Sequence, residues 1–78
     1  QAGNKQVDAI IKLIEANQYS QLDDKLREVA ELRMDNPESS LNELIDKYES
    51  TYGDTISKSG LQHRFKRIIE MANKIDIT

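Results

Sequence analysis

Seventy-eight residues, of which 37% are hydrophobic, make one small domain near the lower limit for a self-supporting core. There is no cysteine and only one histidine, so disulfides, thiolate metal sites and His-rich metal sites are excluded and no cofactor is expected. The net charge of −3 conceals a split: residues 1–56 sum to −6 and residues 57–78 to +3, and a basic segment in an acidic frame suits a polyanion.

The apolar runs are too short to span a membrane, and the start shows no signal-peptide pattern, so a soluble, intracellular domain is expected. With no Trp, the interior must be filled by Val, Ile, Leu, Ala and Met, with Phe65 and the tyrosines. No segment alternates with period two, and four helical segments cover nearly the whole chain. The first is expected over residues 4–17, with Val7, Ile10, Ile11 and Ile14 on one face. The second follows Ser20 as its cap, with Asp23 and Asp24 in the first turn, where the helix dipole favours acids. Its buried stripe reads Leu22, Leu26, Val29, Ala30 and Arg33, and Asn36-Pro37 ends it.

The third helix opens on Ser40-Leu41-Asn42-Glu43, a capping box that satisfies two otherwise orphaned backbone N–H groups. Leu41, Leu44, Ile45 and Tyr48 form its inner face, and Glu43 and Lys47 are placed as an i,i+4 pair. Gly53 suits the left-handed position that closes it. The fourth helix starts after Ser57 as N-cap, with Ile56 and Leu61 at staple positions. Leu61, Phe65, Ile68 and Ala72 then face inward, with Ile69 at the margin. Gly60 in the first turn costs about 1 kcal/mol against Ala, and a glycine there permits close approach of another helix or of a nucleic-acid backbone.

The fold expected is therefore all-α, a small bundle of about four helices whose last two form a helix-turn-helix. Residues 1–19 read as an N-terminal helix packing on a helix-turn-helix domain of residues 20–78.

Residues 57–67 hold four fixed cations, no acid and the sole histidine. At 100° per residue, Lys58, Ser59, Gln62, His63, Lys66 and Arg67 come to the exposed face of the first two turns, with Arg64 on a flank. A helix entering the major groove needs this chemistry. Gln pairs with adenine, Lys or Arg with guanine, and cations and hydroxyls hold phosphates. Gln62 and His63 are placed to reach base edges. Lys58, Lys66 and Arg67 are placed for phosphates, and Arg64 either contacts DNA or pairs with an acid of a neighbouring helix. Tyr19, Tyr48 and Tyr52 read as packing residues. Ser59 and His63 lie four apart, but no acid orients the histidine and no oxyanion site is evident, so no enzymatic activity is expected.

The stretch KLREVAELRMDNPESSLNELI (residues 25–45), followed by ISKSGLQHRFKRIIEMA (residues 56–72), closely resembles the C-terminal domain of bacterial WhiA proteins. The family pattern runs L-R-E-x-A-x-L-R, then N-P-x-x-S-L-x-E-L, then I-S-K-S-G-x-x-H-R, and KQVDAIIKLIE upstream resembles its connecting helix. The resemblance implies a helix-turn-helix similar to region 4 of bacterial sigma factors. It implies a DNA-binding regulator linked to sporulation, cell division and chromosome segregation, cytoplasmic and nucleoid-associated. Lys58, Ser59, Gly60, His63 and Arg64 occupy the matching motif positions, with Ser57 as the cap. Three departures stand out: the span from Leu41 to Ser57 is longer by about one helical turn, Ile45 stands where a small residue is common, and Gln62 replaces the frequent Asn. Double-stranded DNA is the expected partner of a monomeric domain. The alternative is a protein-interaction module whose basic helix meets an acidic surface on RNA polymerase or a partner regulator.

Overall fold

The computed structural model describes residues 2–75, so the domain limits expected at residues 1 and 78 lie outside the described residues. These form four α-helices and one short 3-10 turn: α1 (Ala2–Glu15), the 3-10 turn (Tyr19–Gln21), α2 (Asp24–Asp35), α3 (Leu41–Tyr52) and α4 (Lys58–Ile75). No strand occurs among the described residues. The helix-turn-helix is α3 and α4, joined by residues 53–57.

The ends of the helices follow local chemistry. Asn17 closes α1 in the left-handed region (φ 60°). The Gln18 N–H reaches back to the Leu13 carbonyl at 2.8 Å and the Asn17 N–H to Ile14 at 3.1 Å, a pairing that satisfies the last carbonyls of a helix. Asp23, not Ser20, caps α2: its Oδ1 accepts the Leu26 N–H at 2.9 Å. Ser20 is taken up by the 3-10 turn that precedes it. Asn36 ends α2 as expected, its side-chain amide donating to the Leu32 carbonyl at 2.9 Å. The capping box of α3 is complete, with Ser40 Oγ accepting the Glu43 N–H at 3.2 Å and Glu43 Oε1 accepting the Ser40 N–H at 2.7 Å. Glu43 is thereby turned back to its own cap, and it forms no ion pair with Lys47 among the described residues. Gly53 (φ 70°) closes α3, its N–H donating to the Glu49 carbonyl at 2.9 Å.

α2 and α4 each pack on every other helix. The inward stripes expected on these two helices are buried: Leu26, Val29, Ala30 and Arg33 for α2, with Leu22 buried at the end of the 3-10 turn ahead of it rather than on the helix, and Leu61, Phe65, Ile68 and Ala72 for α4. Leu32 joins them, outside the expected stripe. On α3, Leu44 and Tyr48 are buried while Leu41 and Ile45 are half-buried. On α1 the buried face is rotated from the expected one. Ala9, Ile10 and Leu13 enter the core, Val7 is half-buried, and Ile11 and Ile14 stand exposed. α1 packs against α4 and α2, and its Ala9, Ile10 and Leu13 belong to the same hydrophobic core as the helix-turn-helix.

Arg33 is the one buried charged side chain among the described residues, 2% exposed. Its Nε donates to Gln6 Oε1 at 2.8 Å, and its Nη1 points at the carbonyls of Ser39 (2.7 Å), Asn36 (3.1 Å) and Pro37 (3.3 Å). The guanidinium sits 5.6 Å from the Phe65 ring centre. A buried cation is tolerable only when its donors are met, and here carbonyl dipoles and an aromatic face do so in place of a carboxylate. Burial pushes its pKa below the ordinary arginine value. The arginine ties the α2–α3 connection to α1 and α4 at one point. No helix among the described residues is long and apolar enough to cross a membrane.

Candidate nucleic-acid interface

The start of α4 is fixed by its own cap. Ser57 Oγ accepts the Gly60 N–H at 3.0 Å, and the Ser57 carbonyl accepts the Leu61 N–H at 2.9 Å. Ile56 and Leu61, the staple pair, are both buried. They set the angle at which the chain enters the helix, and Ile56 brings the α3–α4 connection into contact with the core. Of the two approaches expected at Gly60, that of another helix does not occur. A Cβ placed there would lie 3.0 Å from Ser57 Oγ and 3.6 Å from Ile56 Cγ1, with no atom of another helix within 4 Å. The glycine makes room for the helix cap.

Because Leu61, Phe65, Ile68 and Ala72 are buried, the rotation of α4 about its axis is determined. Lys58, Ser59, Gln62, His63, Lys66 and Arg67 are all exposed as a result. Gly60 is half-buried beneath them. Among the described residues Lys58, Lys66 and Arg67 have no ion-pair or hydrogen-bond partner, so three cations face solvent unneutralised on two turns of one helix. Ser59 Oγ lies 3.5 Å from Ser57 Oγ.

Arg64 is turned away from this group. It is half-buried, and its Nη1 donates to the Tyr48 hydroxyl at 3.2 Å. The guanidinium lies 5.7 Å from the Tyr48 ring centre. Tyr48 in turn donates to Glu28 Oε1 at 2.8 Å. The acid of a neighbouring helix is therefore reached through a tyrosine. Tyr52 adds a second tie, its hydroxyl donating to the Glu28 carbonyl at 3.2 Å, with its ring 4.9 Å from that of Tyr48 and tilted by 50°. The relay links α2, α3 and α4. Sequence reasoning placed Tyr48 in the core and left its hydroxyl without a partner. A buried tyrosine hydroxyl usually finds one, and that was the available signal.

The arrangement is a helix whose apolar side is buried in the core and whose outer side presents cations, an amide, an imidazole and a hydroxyl. Such a face can hold a phosphate backbone and reach base edges at the same time.

A family model described as the WhiA C-terminal HTH domain matches residues 1–72. Among curated proteins, a probable cell division protein WhiA from Enterococcus faecalis is 43% identical over 92% of this chain and 24% of its own length. The protein of the same name from Staphylococcus epidermidis is 42% identical over 95% of the chain and 23% of its own length. That of Lactococcus lactis is 35% identical, also over 95% and 23%. The chain thus spans about a quarter of the length of the curated relatives it matches. No solved structure matches it significantly.

Proposed function

The chain belongs to the WhiA C-terminal HTH domain family, and from that premise we propose that it is a duplex-DNA-binding module that reads sequence through α4. The observation that carries the reading is the outward face of α4, where Lys58, Lys66 and Arg67 stand without protein counterions beside Gln62 and His63. In helix-turn-helix proteins the N-terminal part of the second helix meets the bases, and here that part carries the charge. Lys58, Lys66 and Arg67 hold phosphates, with the Ser59 hydroxyl beside them. Gln62 and His63 reach base edges. Gly60 and Ser57 shape the first turn, and Arg64 acts on the interface through Tyr48 by orienting the helix. The whole protein is a cytoplasmic, nucleoid-associated transcriptional regulator of cell division, with sporulation and chromosome segregation as connected processes.

Counterion release is independent of sequence, whereas a bidentate amide contact to a base is not. Fluorescence anisotropy on a preferred and a scrambled duplex, at several salt concentrations, separates the two roles. Lys66→Ala weakens binding to both duplexes and lowers the salt slope by about one unit. Gln62→Ala costs roughly 1–3 kcal/mol on the preferred duplex and little on the scrambled one. Equal losses on the two duplexes would remove Gln62 from base reading. Binding indifferent to salt and to all of these substitutions would leave the basic helix to meet an acidic surface on RNA polymerase or another regulator.

A further inference from the structure

Ile14 and Met34 are 45% and 37% exposed, two of the three most exposed large apolar side chains among the described residues. Both line one groove, together with Tyr19, Tyr52, Glu31 and Asp35. α1, the 3-10 turn, α2 and α3 all contribute to it, and α4 contributes nothing. Glu31 and Asp35 stand one turn apart on α2, where like charges repel, and neither has a hydrogen-bond or ion-pair partner among the described residues. Their field is felt locally: burial first, and then Glu31, push the phenols of Tyr19 and Tyr52 above the ordinary tyrosine range.

An apolar floor beside unneutralised carboxylates selects its occupant by charge. Nucleic acid is repelled. A second copy of this chain offers its densest group of cations on α4, which carries no exposed large apolar side chain, and only single exposed lysines, Lys5, Lys25 and Lys47, on the other helices, so self-association is one outcome of the test below. We propose that this groove docks a basic amphipathic segment of a partner protein. One or two bulky apolar side chains of that segment rest on Ile14 and Met34, while its Lys or Arg side chains pair with Glu31 and Asp35. Since the groove takes no residue from α4, docking there leaves Lys58, Gln62 and Lys66 uncovered, and the partner and DNA are held together.

The test uses the isotopically labelled 78-residue chain and a designed Lys/Leu amphipathic peptide, with a Lys/Ser peptide of equal charge as control. The Lys/Leu peptide binds saturably, with chemical-shift changes centred on Ile14, Glu31, Met34 and Tyr52. Ile14→Ser/Met34→Ser and Glu31→Gln/Asp35→Asn each weaken that binding about tenfold. The apolar pair variant keeps the duplex-DNA affinity of the parent chain, which also shows that it is folded. Equal binding of the Lys/Ser peptide, or no saturation at about millimolar Lys/Leu peptide, overturns the proposal. Self-association by sedimentation equilibrium that disappears in Ile14→Ser/Met34→Ser also overturns it, and assigns the groove to a second copy.

Discussion

Arg33 and Arg64 are both drawn out of solvent without a direct carboxylate partner, and the difference between them is what each one ties together. Arg33 closes a loop onto two helices through carbonyls, whereas Arg64 joins α4 to α3 through a single hydroxyl. A net contribution of about 1 kcal/mol is expected from such a hydrogen bond, with about 0.5–1 kcal/mol more from the aromatic face. Arg64→Ala and Tyr48→Phe should each lower stability in urea, and the double variant should lose less than the sum by at least about 0.5 kcal/mol. Strict additivity would show the two to be independent and return Arg64 to the DNA-contacting set. Tyr19 and Tyr52 give a pH signature. Their phenols ionise above the ordinary value of 10.0 in the folded state, so the unfolded chain loses these protons first and stability falls as pH rises past about 10. Thermal melts from neutral to alkaline pH should show that fall, reduced in Tyr19→Phe/Tyr52→Phe. None of these pairings was legible in the sequence, because Arg33 with Gln6, Tyr48 with Glu28 and Arg64 with Tyr48 are 27, 20 and 16 residues apart and no local pattern specifies a partner at such a distance.

The helices themselves were legible, most securely where cap and stripe agree. The box at Ser40 and Glu43, Gly53 as the stop and Ser57 as the cap of α4 each stand where residue type placed them. On α1, Ile10 was rightly read as inward, but Ile11 and Ile14 were not, because Val7, Ala9, Ile10, Ile11, Leu13 and Ile14 cover a wide arc, and the packing of α2 and α4 decides which part of the arc is buried. Ser20 and Asp23 are both good caps, and the 3-10 turn decides between them by consuming Ser20. The α4 cap yields a test of coupling within one element. Ser57→Ala should cost about 1 kcal/mol. Gly60→Ala gains about 1 kcal/mol of helix propensity but sets its Cβ 3.0 Å from Ser57 Oγ. In the parent chain the gain and the disturbed cap nearly cancel. In the Ser57→Ala background the obstruction is gone, and Gly60→Ala should stabilise by about 1 kcal/mol. Chemical denaturation of the four chains measures this. An equal effect of Gly60→Ala in both backgrounds would show that the glycine is not there for the cap.

At the scale of the whole molecule, the acidic frame and the basic α4 are held in one core, and α1 is part of what holds them. Ile10 and Leu13 are fully buried and Ala9 nearly so, and Gln6 accepts from the buried Arg33. Burying a side chain such as Ile or Leu is worth about 1.5–3 kcal/mol, and removing it also leaves a cavity. A domain of this size has a total stability of about 5–10 kcal/mol, so α1 accounts for a large part of it. Removing residues 1–16 strips this cover from α4 and deprives Arg33 of one acceptor. The shortened chain should lose its cooperative urea transition and the amide dispersion of a folded protein. Its DNA affinity should fall with its fold, even though every exposed residue of the α4 face is still present. Ile10→Ala, which leaves the chain intact, should show the same effect in part, at about 2–5 kcal/mol. A shortened chain that still unfolds cooperatively and binds duplex DNA as the parent does would make residues 1–19 a detachable arm, and α2, α3 and α4 alone the unit that positions the basic face.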